Sequence, residues 1–185
     1  NLCAWWRYEA GTIDEGLFRR KCKEKNISFD AIKERLFDFE KSLHGRLRWK
    51  KEIKNSGIFL NILSIEKSHA TDLTDLYKGS FDEKVKFLEF LELDDESGEK
   101  ITPLLIKKAL EKINSSSSIF SCQLLHDWLS LDSVFEDDPW ELRINFPGTL
   151  SEKNWTLVMP VSLEDMLALP VNSVIKTINE QCGRF

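Results

Sequence analysis

The stretch TPLLIKKALEKINSSSSIFSCQLL, residues 102–125, decides the predicted fold. Thr102 followed by Pro103 indicates a helix start, because Thr caps the first turn and Pro fits the first helical position. The apolar residues that follow recur at helical spacing. The connector 114–118 ends this helix, and the apolar run 119–125 fits one buried strand. A helix, a short turn and a buried strand are therefore predicted in succession.

Helical patterns dominate the rest of the chain. Residues 28–47 carry apolar side chains at every third or fourth position, and Ser80 with Glu83 has the spacing of a capping box. Residues 57–65 fit either a strand or a buried helix, and 69–80 fits turns with a short helix. Helices are predicted over 2–8, 14–26, 28–47, 80–93, 102–113, 162–169 and 172–183. A solvated loop is predicted at 94–99. The predicted fold class is mainly α with few strands.

Length and charge limit the classes of protein to consider. A chain of 185 residues is expected to form one domain, and two small ones are possible. The net charge of −5 disfavours a main role on nucleic acid, because phosphate binding needs an excess of Lys and Arg. The basic runs at 19–25 and 45–51 are more typical of solvated helix faces than of binding sites.

The cysteines and the start of the chain suggest a compartment and an origin. Cys3, Cys22, Cys122 and Cys182 form no CxxC pair and have no His at zinc spacing, so neither a metal site nor a cofactor is expected. There is no secretory signal and no membrane-length apolar run, which favours a reduced cytoplasmic protein. The opening NLCAWW carries two Trp, a residue normally buried, so we expect a piece of a longer polypeptide.

A second stretch, ELRINFPGTLSEKNWTLVMP at 141–160, is rich in residues that suit sugar binding. An Asn amide both donates and accepts hydrogen bonds, an Arg offers a rigid fork, and a Trp offers a flat face. A Pro-Gly pair makes a turn at which the backbone can approach a ligand. The candidate substrate-binding residues are Asn145, Arg143, Pro147, Gly148 and Trp155.

Structural interpretations of the same residues remain open. Arg143 paired with a carboxylate such as Asp127 is nearly as favoured as ligand binding, and Trp155 is more often a core residue. Asp127 beside His126 is more typical of a capping residue than of an acid–base dyad, because neighbours on a strand point to opposite faces.

These segments resemble the carboxyl end of the 4-alpha-glucanotransferases, the amylomaltase or disproportionating-enzyme family. The resemblance is carried by IFSCQLLHDWLSL, RINFPGT, the Asn-Trp pair, VSLEDML and INEQCGR, with NLCAWW similar to the helix after a His-Asp-Asn motif. It covers 1–6 and about 119–184. His126 departs from the family's Gln, and Leu157 and Val158 stand where relatives place an aromatic residue and an Arg.

The resemblance implies the C-terminal portion of a (β/α)8 TIM-type barrel. Residues 1–185 are then one C-terminal fragment, with a mostly helical segment over 1–118, and the last barrel strand, substrate loop and closing helices over 119–185. It implies retaining transfer of α-1,4-glucan segments between maltooligosaccharides, with an aspartate nucleophile and a glutamate acid/base about 5 Å apart. These acids and a third aspartate are expected upstream of Asn1, so no catalytic residue is expected here and the fragment alone is expected to be inactive.

The expected partners follow from the same resemblance. They are an α-1,4-glucan of the glycogen or starch type, or a maltooligosaccharide, and the remainder of the parent polypeptide. Self-association of the isolated fragment is expected because a partial barrel exposes apolar faces. Neither nucleic acid nor a membrane is an expected partner, because the chain is acidic and has no membrane-length apolar run. The alternative is a helical protein-interaction domain without glucan binding, which would use the charged segments within 14–54. An intact hydrolase of another kind is disfavoured because no paired-acid motif is present.

Overall fold

The computed structural model describes residues 1–94, 100–132 and 138–184, and this part of the chain is mainly helical with a small three-stranded sheet. The predicted fold class, mainly α with few strands, is confirmed. The α-helices are α1 (Leu2–Ala4), α2 (Glu15–Glu24), α3 (Phe29–Leu36), α4 (Ser56–Leu63), α5 (Thr71–Ser80), α6 (Glu83–Leu91), α7 (Pro103–Asn114), α8 (Leu125–Leu129), α9 (Leu163–Met166) and α10 (Val171–Gln181). The helix α1 continues as a π-helical turn over Trp5–Glu9.

The chain divides into two compact units. One comprises residues 8–87, and the other comprises 1–7 together with 88–185. The loop predicted at 94–99 lies mostly outside the described residues.

The unit of residues 8–87 contains the sheet. Its strands are β1 (Thr12–Asp14), β2 (Phe37–Asp38) and β3 (Arg46–Trp49), with β3 in the middle and antiparallel to both neighbours. Side chains of β3 alternate between buried and half-buried positions, as a strand with one face on a core requires. The helices α2, α3, α4 and α5 surround the buried face.

An aromatic cluster around Trp49 forms the core of this unit. The Trp49 ring lies 4.7 Å from the Phe37 ring and 5.7 Å from the Phe18 ring, measured between centroids. Phe59 and Tyr77 complete the cluster, and the indole N–H donates to Ser80 Oγ at 2.8 Å. The indole therefore joins the sheet to α2, α4 and α5 while its one polar atom is satisfied.

The prediction of one helix over 28–47 is wrong in its second half. The helix α3 ends at Leu36, and Phe37 begins β2. Phe37 is fully buried whereas Leu43 is half exposed, so the apolar stripe does not lie on one face. His44 and Gly45 both have left-handed backbones, at φ 56° and 71°, and they form the turn that enters β3. Pairing of β3 with β1 and β2 overrides the helical spacing.

The basic run 45–51 is likewise not a helix face. Arg46 donates to the backbone oxygen and the hydroxyl of Thr12, and Arg48 Nη1 donates to Ala10 O at 3.2 Å. These arginines tie the central strand β3 to β1 and to the residue Ala10 before it. In the run 19–25, by contrast, Lys21 and Lys25 form ion pairs with Asp72.

Two ambiguous segments of this unit are helices. Residues 57–65 are largely α4, and 69–80 are largely α5. Ser80 does not cap α6 as predicted, because it is the last residue of α5 and its hydroxyl donates to Leu76 O.

In the other unit, helix starts and stops follow the sequence signals. Thr102 Oγ1 accepts from Leu105 N at the start of α7, and Ser162 Oγ accepts from Asp165 N at the start of α9. Gly183, at φ 66°, ends α10 in the left-handed conformation. The core of this unit includes Ile106, Leu110, Trp128 and Ile178.

The structure differs from the buried strand predicted over 119–125. Leu125 begins α8, and residues 119–124 belong to no strand within the described parts of the chain. Ile119 and Phe120 are 88% and 85% exposed. A strand needs a neighbouring strand for its hydrogen bonds, and the strands that the structure describes all lie within 8–87.

Truncation of Trp49 tests the aromatic core. We expect Trp49→Ala to lower the free energy of unfolding by about 3–5 kcal/mol, because it opens a cavity between sheet and helices. Urea denaturation followed by circular dichroism measures this. The control is Phe39→Ala, which removes a more exposed ring and should change the unfolding free energy by about 0.5 kcal/mol or less. Equal losses in the two variants would contradict the assignment.

Candidate substrate-binding loop

The start of the chain is hydrogen-bonded to the segment that precedes the predicted site. The Asn1 side-chain amide donates to Pro139 O and to Leu142 O, both at 3.3 Å. The next backbone N–H, of Leu2, donates to Asp127 Oδ1 at 2.7 Å. Residues more than a hundred positions apart are thereby joined. Asp127 has the structural role that was favoured for it, although the turn that it caps is the start of α1.

A cation–π stack stiffens the first part of the loop. The guanidinium carbon of Arg143 lies 4.6 Å from the centroid of the Trp140 ring and 5.2 Å from that of Phe146. The two rings are themselves 5.5 Å apart. Stacking occupies the faces of a guanidinium while its N–H groups point outward along the edge, so the stack orients the Arg143 donors.

The Pro-Gly pair forms a β-turn, as predicted. Thr149 N donates to Phe146 O at 3.2 Å, and Gly148 has φ 77°. A left-handed residue at the third position of such a turn is typical of type II geometry, in which Pro147 supplies the second position. Glycine is needed here because other residues are strained at this φ.

Asn154 and Trp155 close the loop. The Asn154 side chain accepts from Phe146 N at 3.0 Å and donates to Thr149 O at 3.1 Å. Trp155 N donates to Ile144 O at 2.7 Å. Trp155 has φ 65°, a left-handed backbone that is rare for a bulky side chain, and the residue is 75% exposed. It is not a core residue.

All five predicted site residues lie in this loop of residues 143–155. Asn145 is half-buried between Ile144 and Phe146, and its amide makes no hydrogen bond to any residue that the structure describes. Sequence reasoning missed Asn1 and Asn154. The Asn-Trp pair and the NLCAWW start pointed to both residues as parts of the family resemblance, but their hydrogen-bond partners could not be predicted because they depend on the fold.

His126 lies in α8 and is buried, so the reason given for separating it from Asp127, opposite faces of a strand, does not apply. Burial lowers the pKa of His126 below its ordinary value. The positive N-terminal ammonium acts in the same direction, and the negative charge of Asp127 acts against both.

A separate cleft of about 540 Å³ lies within the unit of residues 8–87. Most of its charged groups have structural partners: Asp14 caps α2, Glu83 accepts from Gly11 N, and Lys21 pairs with Glu24 and Asp72. The hydrogen bond from Lys21 to Glu24 raises the pKa of Lys21. The cleft therefore fits a surface depression between elements of the fold.

Within 1–94, 100–132 and 138–184, no three His, Cys, Asp or Glu residues are grouped to hold a metal ion. Over the same residues, no helix has the length and apolar character that crossing a membrane requires.

Comparison with known proteins bears on the resemblance. The chain is 27% identical over 145 residues to a 4-alpha-glucanotransferase of Chlamydia muridarum, and 27% identical over 141 residues to that of Chlamydia trachomatis serovar D. It is 30% identical over 134 residues to that of Chlamydia caviae. This chain is similar to the 4-alpha-glucanotransferases. The resemblance stated from its motifs is confirmed.

The similarity to 4-alpha-glucanotransferases covers 65–71% of this chain but only 24–26% of the relatives. The chain thus spans about a quarter of the length of the curated relatives that it matches. The aligned stretches are longer than 1–6 and 119–184 combined, so they include part of 7–118. No family model and no solved structure matches the chain.

The backbone of Trp155 provides a test of the loop. We expect Trp155→Gly to be more stable than Trp155→Ala by about 1 kcal/mol, because Gly adopts a positive φ without a steric penalty. Thermal unfolding of both variants measures the difference. At fully exposed Leu150, which lacks a positive φ, Gly should be no more stable than Ala. Trp155→Ala as stable as Trp155→Gly would contradict the left-handed backbone.

The buried imidazole of His126 predicts a pH dependence. Its folded pKa lies below the unfolded value of about 6.5, so its contribution to stability is complete above that pH. The contribution is lost as the pH falls from about 6.5 towards the folded pKa. Unfolding free energies at pH 8 and pH 5 should therefore differ less in His126→Gln than in the parent. Exposed His69→Gln is the control and should keep the parent's difference. Identical pH dependence in both variants would refute the prediction.

Proposed function

We propose that this chain is the C-terminal portion of a 4-alpha-glucanotransferase, which transfers α-1,4-glucan segments between maltooligosaccharides. The observation that carries the proposal is the pair of hydrogen bonds from the Asn1 amide to Pro139 O and Leu142 O. They join the NLCAWW start to residues 139 and 142, which immediately precede the RINFPGT loop, and both the start and the loop resemble the family. A residue preceding Asn1, where the resemblance implies a catalytic aspartate, would enter beside this loop.

The loop offers the chemistry that a glucan needs. Asn145 supplies a donor and an acceptor for sugar hydroxyls, and Trp155 supplies an exposed aromatic face for a sugar ring. The Arg143 edge, oriented by its stack, adds donors, and the Pro147–Gly148 turn allows close backbone approach. An exposed ring on a strained backbone supports the ligand-binding interpretation of Trp155.

The proposed reaction is a retaining double displacement. An aspartate would form a glycosyl ester and a glutamate would act as acid and then base, both supplied by the part of the polypeptide before Asn1. Our proposal places no catalytic carboxylate in residues 1–185, so the chain alone is inactive. The cytoplasmic location and the glycogen or starch substrate belong to the same proposal.

The remainder of a longer polypeptide is the proposed protein partner. Support comes from the quarter-length match to the relatives and from apolar side chains that lie exposed. We propose that this partner completes a (β/α)8 barrel and covers exposed apolar side chains such as Ile119 and Phe120. In the isolated chain the same side chains favour self-association.

Sugar binding and activity test the proposal separately. We expect the 185-residue chain to bind maltoheptaose weakly. Asn145→Ala should raise the dissociation constant about tenfold or more, because a half-buried polar contact is lost. Titration calorimetry measures the binding. The control is Asn61→Ala, an exposed Asn in the other unit, which should leave binding unchanged.

We expect no glucose release from maltotriose by the same chain. Release would contradict the upstream position of the acids. Absence of maltoheptaose binding at millimolar concentration would overturn glucan recognition by the loop and favour the protein-interaction alternative.

A further inference from the structure

We infer that Asn154 is a positioning residue that sets the direction in which Trp155 presents its ring to a ligand. The inference rests on the proposed function of Trp155 as a surface for a sugar ring. Asn154 acts on the ring through the loop backbone, because its amide oxygen and its amide nitrogen are both hydrogen-bonded to backbone groups of the loop.

The Asn154 amide closes a bridge across the Pro-Gly turn. Its oxygen accepts from Phe146 N at 3.0 Å, and its nitrogen donates to Thr149 O at 3.1 Å, at the two ends of the same turn. A bridge of this kind needs a donor and an acceptor on one short planar group. Asn meets this requirement, whereas Asp keeps only the acceptor and Ala keeps neither.

Trp155, immediately after the bridge, holds a conformation that its own preferences oppose. A left-handed backbone is unfavourable for a residue with a Cβ, and the exposed indole gains little burial in exchange. Strain of this kind persists where the surroundings impose it. Here the surroundings are the hydrogen bond from Trp155 N to Ile144 O and the anchored Asn154 before it.

The direction of the indole therefore depends on the bridge. Without it, residue 155 can relax to a right-handed or extended backbone, which turns the Cα–Cβ bond away from its present direction. A stacking surface binds a sugar ring only when the two faces are parallel and close, so the relaxed loop should bind more weakly.

Fluorine NMR of the 185-residue chain labelled with 5-fluorotryptophan tests the inference without a ligand. The sequence has six Trp, and Trp155→Phe identifies the Trp155 resonance by its loss. In Asn154→Ala we expect this resonance to shift and broaden while the signals of buried Trp6, Trp49 and Trp128 stay unchanged. Asn154→Asp, which keeps the bond from Phe146 N, should give a smaller change.

Ser151→Ala is the matched control in the same loop. The Ser151 hydroxyl accepts only from Lys153 N among described residues, so its removal should not move the Trp155 resonance. An unchanged Trp155 resonance in Asn154→Ala overturns the inference. A general loss of all six signals would indicate unfolding rather than positioning, and would also overturn it.

Maltoheptaose titration of the same samples separates the two proposals. We expect Asn154→Ala to raise the dissociation constant for maltoheptaose about fivefold to tenfold. The dissociation constant of Asn154→Asp should lie between those of Asn154→Ala and the parent. The parent protein could fail to bind maltoheptaose while Asn154→Ala still shifts the Trp155 resonance. That result would overturn the glucan-binding proposal and keep Asn154 as the residue that orients the ring. Parent-like binding by Asn154→Ala overturns the positioning role in recognition.

Discussion

The hydrogen bonds made by Asn1 and Leu2 are the constraint on which the interpretation of the site depends. They hold the first turn of the chain to Asp127 and to the carbonyls of Pro139 and Leu142. Each bond to a neutral group contributes about 1 kcal/mol, and the bond to the carboxylate contributes more. Together they fix the start of α1 beside the loop, which relates two segments that sequence alone leaves unconnected.

Rigidity in the loop comes from local polar contacts rather than from a core. The Arg143 stack, the Pro147–Gly148 turn and the Asn154 bridge each connect residues fewer than ten positions apart. Such contacts preorganise a loop without burying it, so a large ring like that of Trp155 stays exposed. In the unit of residues 8–87, by contrast, the rings around Trp49 are buried and serve stability.

Sequence-based predictions succeeded where the deciding interactions are short in sequence range and failed where they are long. Helix ends at Thr102, Ser162 and Gly183 were predicted because a cap is decided by residues within one turn. The prediction over 28–47 failed after Leu36, since pairing with β1 lies more than twenty residues away. The strand predicted over 119–125 failed for the same reason, because a strand depends on a neighbour.

The sequence by itself determined the helical content, the helix caps, the Pro-Gly turn and the similarity to 4-alpha-glucanotransferases, since each depends on residue types at short spacing. The tertiary structure decided that Trp49 is buried and Trp155 exposed, although both have polar neighbours in the sequence. It also decided that Asn1 is hydrogen-bonded to the segment before the loop and that Asn154 bridges the turn within it. Burial and hydrogen-bond partners depend on which distant segments meet, and that is a property of the folded chain.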